Sequence, residues 1–159
     1  MTSTRASCML LIVAFGLFVS GVTVWPAVPE LNLGLRILEV LGFADSELFR
    51  FTTQIRDSLI AIEDQHPSIL YGYDWLAFAH IVLAILFAGT ARDPVRNRWT
   101  IECGLIMCAL IPILAGICIP IRQIPGYWFL IDFAFAPAAA VPLVIALRDV
   151  RQIERSRSE

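Results

Sequence analysis

The chain has 159 residues, of which 58% are hydrophobic, against about 45–50% in ordinary soluble domains. Its mean hydropathy is +0.73 and its apolar residues come in long blocks, which argues for a lipid solvent and against a water-soluble domain. The formal net charge of −2 supplies no long-range field that would draw nucleic acid, so no nucleic-acid partner is expected.

These blocks predict an all-α fold. It is an integral membrane four-helix bundle with a short amphipathic extracytoplasmic helical segment, built as a single membrane domain over residues 1–159. The first span covers about residues 8–25, from Cys8 to Trp25. A cleaved signal peptide is the rival reading, because Arg5 precedes the run and the small residues Ser20 and Gly21 follow. The run outlasts the roughly 7–15 apolar residues of a signal core and no A-x-A site follows, which favours a retained span. Pro26 and Pro29 are expected to end this helix.

Between Pro26 and Tyr73 lies the one sizeable stretch outside the spans, with seven acids and three arginines. Its helical part is placed at about residues 30–66. Leu31 to Phe43 reads as a short apolar helix ending near Gly42. Asp45 or Ser46 then caps a clearer helix with Glu47 in its first turn. Leu48, Phe51, Ile55, Leu59 and Ile62 step by three or four residues into one apolar stripe, opposite Arg50, Gln54, Asp57 and Asp64. That stripe suits either a packed lid or a helix lying on the membrane surface. Pro67 stops it.

The remaining spans cover about residues 75–91, 99–121 and 127–147, each opening on an interfacial Trp or Tyr. Arg92-Asp93-Pro94 makes a sharp reversal, with Asp93 as N-cap and Pro94 at the first helical position. Gln123 to Gly126 makes a second tight turn, and such short connections set the last three spans as antiparallel neighbours. Pro112, Pro120, Pro137 and Pro142 fall in or near the last two spans, where neighbouring helices can satisfy the freed carbonyls. Ala84 with Ala88, and Gly104 with Cys108, are small-xxx-small pairs that permit close approach. An even number of spans puts both termini on one side. Arg5, Arg92, Arg96, Arg98, Arg148, Arg151, Arg155 and Arg157 share that side, against Arg36, Arg50, Arg56 and Arg122 on the other. This excess predicts both termini in the cytoplasm, with the spans in the cell's inner (plasma) membrane.

Cys8, Cys103, Cys108 and Cys118 lie in apolar runs without a Cys-x-x-Cys and read as small apolar filler. Ionisable groups in a span are costly and mark candidate sites. Asp132 falls inside the fourth span, and Arg122, brought back by the tight turn, is its expected partner, as a clamp or as part of a ligand site. Asp74 reads as an N-cap or a binding carboxylate. His80 is the one histidine within a span. It is bonded to a carbonyl or to Asp132, or it meets a ligand or a proton path. Glu102 follows Arg98 by four residues, the spacing of a same-face ion pair. Asp74, His80, Arg122 and Asp132 fall in the outer half of the bundle, at the level of Tyr71, Tyr73, Trp75, Tyr127 and Trp128. The candidate binding residues are Asp74, His80, Arg122, Asp132, Trp75 and Trp128. No catalytic set, metal site or cofactor is expected, since Walker, H-E-x-x-H and G-x-S-x-G motifs are missing and a membrane haem would need ligands on facing helices.

The run Tyr71-Gly72-Tyr73-Asp74-Trp75-Leu76-Ala77-Phe78-Ala79-His80, together with Arg92-Asp93-Pro94-Val95-Arg96-Asn97 and Arg122…Ile124-Pro125…Asp132, resembles a group of uncharacterised bacterial four-span membrane proteins. The likeness covers roughly residues 67 to 148 and implies a bacterial four-span protein with no activity attached. The function expected is that of a noncatalytic scaffold or subunit of a membrane complex, with lipid and either a second copy or other subunits as partners. The alternatives are a small oligomeric transporter or proton-coupled carrier, and a quinone- or lipid-binding protein using the outer polar cluster.

Overall fold

The computed structural model describes residues 2–158, and among them every regular element is helical. The α-helices are α1 (Thr2–Val24), α2 (Ala27–Val40), α3 (Glu47–Gln65), α4 (Tyr71–Thr90), α5 (Arg98–Ile121) and α6 (Trp128–Ser158), with a 3₁₀ turn at Pro67–Leu70 leading into α4. Four segments are long and apolar enough to cross a membrane: Thr4–Val24, Pro67–Thr90, Arg98–Ile121 and Trp128–Arg157. Even the shortest, 21 residues, reaches about 32 Å at 1.5 Å per residue, matching a hydrocarbon core of about 30 Å.

Several boundaries differ from the sequence reading, each for a local reason. Pro29 does not close α1. It stands in the first turn of α2, where its missing N–H has no partner to lose, and Pro26 is the N-cap of that helix. Helix α4 begins at Tyr71, so Asp74 lies in its first turn and is not a cap. Helix α5 begins only at Arg98. Asp93 still accepts the Arg96 N–H at 3.1 Å, but it closes a separate turn and Pro94 is outside the helix. Helix α6 runs to Ser158, well past residue 147, because no Pro or Gly follows Pro142 and Arg, Gln and Glu are good helix formers.

The described chain forms two compact units, Leu17–Val82 and a second made of Met1–Gly16 with Leu83–Glu159. In the first, α2 and the 3₁₀ turn pack on α3. Ser46 is the cap of α3, its Oγ accepting the Phe49 N–H at 3.1 Å. The predicted stripe turns inward: Leu59 is buried, Leu48, Phe51, Ile55 and Ile62 are half-buried, and Arg50, Gln54, Asp57 and Asp64 are exposed. Gly42, at φ +80°, ends α2 through Gly42 N–H to Glu39 O at 3.0 Å and Phe43 N–H to Leu38 O at 2.8 Å, the paired bonds of a Schellman motif. The end of α1 meets α4 at Gly21, where a Cβ would stand 2.9 Å from the Ala77 carbonyl oxygen.

In the second unit α5 packs along α6. Gly104 makes the closest approach: a Cβ there would lie 2.8 Å from Phe87 Cζ and 3.0 Å from Leu143 Cδ1. Cys108, its small-residue partner one turn on, is also buried. Ala136, Leu143, Leu147 and Val150 recur along one side of α6 and are all buried. The turn after α5 repeats the Schellman pattern with Gln123 at φ 55°, using Gln123 N–H to Pro120 O at 3.3 Å and Ile124 N–H to Ile119 O at 3.0 Å.

Candidate functional site

The unit 17–82 contains a cleft of about 430 Å³ where α1 ends, α2 begins and α4 starts. Trp25, Pro29, Leu59, Glu63, Tyr73 and Asp74 are among its walls. Its volume lies at the lower end of the roughly 300–1,000 Å³ of small-molecule pockets. The local chain explains the cleft: the Trp25-Pro26 break turns α1 into α2, and Pro67 forces the 3₁₀ turn that carries the chain from α3 into α4. Asp74 Oδ1 accepts the Trp25 indole N–H at 3.0 Å, tying the end of α1 to the first turn of α4. Glu63 makes no side-chain hydrogen bond or ion pair among the described residues. Two carboxylates and one phenol give a site rich in acceptors and poor in donors. A quinone carbonyl needs donors; an ammonium group needs what this cleft offers.

His80 and Trp75 lie on α4 but not among the cleft walls. His80 Nδ1 stands 2.8 Å from the Leu76 carbonyl oxygen one turn back, so the ring is held by its own helix. Trp75 sits in an aromatic ladder, edge-on to Tyr71 at 6.0 Å and to Phe78 at 5.8 Å, and remains largely exposed.

The expected pairing of Arg122 with Asp132 does not form. Neither side chain makes a hydrogen bond or ion pair among the described residues. Arg122 is the exposed C-cap of α5, followed by Gln123 in a left-handed conformation, and α6 begins at Trp128. Asp132 is half-buried and shares the side of α6 that carries Ala136 and Leu143. Trp128 opens α6 and is half-buried.

The charges that do pair stand at the opposite end of α5 and α6. Arg98 bonds Glu102 at 2.8 Å, as the four-residue spacing predicts, and also reaches Glu154 at 2.9 Å, while Arg151 approaches Glu102 at 3.4 Å. Arg5 grips Asp149 with both arms of its guanidinium: Nε donates to Oδ2 at 2.7 Å and Nη2 donates to Oδ1. Asp149 is only 1% exposed. Sequence reasoning missed it because the apolar run stops at Leu147, and the helix-forming tail after that point was the only signal that α6 goes on.

Among the described residues no group of three or more His, Cys, Asp or Glu side chains is placed to hold a metal ion. No protein-family model, curated protein or solved structure matches the chain.

Proposed function

We propose that this chain is a multi-pass bacterial inner-membrane protein with both termini in the cytoplasm, acting as a noncatalytic scaffold or subunit of a membrane complex. The observation that carries the membrane assignment is the exposure of large apolar side chains along all four long helices, including Phe15, Ile85, Leu114 and Leu130. Water would penalise each by about 1.5–3 kcal/mol relative to an apolar surrounding, and lipid removes that penalty. The arginine excess at the ends of α1, α5 and α6 supports the orientation. Purification in mild detergent followed by native mass spectrometry is expected to yield a homo-oligomer or a complex with another membrane protein. A strict monomer that turns over a substrate unaided overturns the scaffold reading.

The cleft beside the Trp25–Asp74 bond favours a second reading, a binding site for the ammonium-bearing headgroup of a lipid. Its support is the acceptor-rich lining with Glu63 and Asp74. Extraction of the purified protein should then release an aminolipid in stoichiometric amount, and Asp74→Asn with Glu63→Gln should lose it. Equal lipid content in wild type and variant counts against the site. The carrier reading gains no observation of its own, since His80 is engaged on its own helix and Asp132 has no bonded partner.

A further inference from the structure

Helix α2 is amphipathic, and only one of its sides is used by the fold. Leu35 is buried and Leu31 and Leu38 are half-buried on the side that packs within the unit 17–82. The opposite side presents Leu33, Ile37 and Val40 at helical spacing, continued by Leu41 and Phe43 at the turn. All five are more than half exposed, and Val40 is 86% exposed. Scattered exposed apolar residues are ordinary, but a contiguous stripe of this kind marks an interaction surface. The other amphipathic helix does not offer such a stripe: α3 turns its apolar side inward, as a packed lid does, and leaves Arg50, Gln54, Asp57 and Asp64 exposed.

Continuity of the chain identifies the occupant. Two residues, Trp25 and Pro26, separate the last residue of α1 from the first of α2, so α2 starts within a few ångströms of the point where α1 leaves its apolar run. The Trp25–Asp74 bond sets the end of α1 beside the start of α4, where Tyr71, Trp75 and Trp25 are exposed. Aromatic residues of this kind gather at the boundary between hydrocarbon and water. The exposed apolar surface of α1, through Phe18 and Val22 to Trp25, thus leads into the stripe on α2.

We propose that α2 is an interfacial helix whose Leu33–Ile37–Val40 stripe dips into the outer leaflet of the bilayer, the occupant being lipid acyl chains. This rests on the membrane reading above. Arg36 and Glu39 flank the stripe and can reach the headgroup layer while the apolar side chains sit below it.

The test is spin-label accessibility in the full chain, in phosphatidylethanolamine–phosphatidylglycerol bilayers. The parent carries Cys8→Ala, Cys103→Ala, Cys108→Ala and Cys118→Ala. Labels at Leu33→Cys, Ile37→Cys and Val40→Cys should relax more with oxygen than with a water-soluble nickel chelate, whereas labels at Asp57→Cys and Asp64→Cys on α3 should do the reverse. Phe18→Cys and Phe78→Cys report on the spans themselves. If the span labels favour oxygen but the α2 labels favour nickel, or are shielded from both reagents, the proposal falls and the membrane reading stands. If the span labels also favour nickel, both fall. A second measurement keeps the native cysteines: a photoreactive diazirine side chain at Val40 should yield a lipid adduct by mass, and a protein adduct or a water-quenched product in its place overturns the proposal.

Discussion

Asp149 carries the most tightly held charge among the described ion pairs. Its carboxylate is buried, and both oxygens receive a bond from Arg5. Breaking such a pair from one side leaves the carboxylate without its partner, whereas replacing both partners by apolar groups is often neutral. Arg5→Leu should therefore lower the thermal unfolding midpoint in detergent more than Arg122→Leu, whose side chain is exposed and has no bonded partner among the described residues. The double variant Arg5→Leu with Asp149→Leu should recover most of the loss. Equal midpoints for Arg5→Leu and Arg122→Leu would contradict the structure. The same contrast explains which contacts the sequence could disclose. Arg98 and Glu102 are one helical turn apart, a local rule with local consequences. Arg5 and Asp149 are separated by 144 positions, and no spacing rule links residues that far apart. Arg122 and Asp132 are close in the chain, but chain distance across a turn does not fix where two side chains point, and no bond joins them.

Helix crossings provide the sharper predictions at the scale of elements. In a helix interior Gly→Ala ordinarily stabilises by about 0.5–1 kcal/mol. Gly16 has nothing within 4 Å of its notional Cβ, so Gly16→Ala should follow that rule. At Gly21 the same atom meets the Ala77 carbonyl at 2.9 Å, and backbone cannot swing aside as a side chain can. Gly21→Ala should reverse the sign and cost about 1–3 kcal/mol, the range of overpacking. Unfolding of both variants in the same detergent checks the pair. Gln123, held at φ 55°, offers the opposite case: Gln123→Gly should stabilise by up to about 1 kcal/mol by relieving the left-handed strain. Among the elements themselves, the α3 stripe and the Ser46 cap were legible because period and capping chemistry are local. Pro26 marks the end of α1, but Pro29 stands in the first turn of α2, because proline breaks a helix interior and starts a first turn with the same ring.

For the whole molecule, orientation is the first thing to measure. Reporter fusions after Ser158 should be active only as cytoplasmic reporters, and an insertion near Asp64 only as an exported one. The reverse pattern would invert the arginine argument. The described chain also divides into units 17–82 and 1–16 with 83–159, a partition that no composition shift announces, since α1 and α4 each contribute to both. That partition has a consequence in time. A ribosome adding about 5–20 residues per second completes Asp149 roughly 7–30 s after Arg5. Throughout that interval Arg5 waits, already synthesised, for the carboxylate that will hold it. Arg5 is thus held by a carboxylate made long after it, so Asp149→Ala should leave a chain that inserts normally yet is cut faster around Arg5 by an added protease.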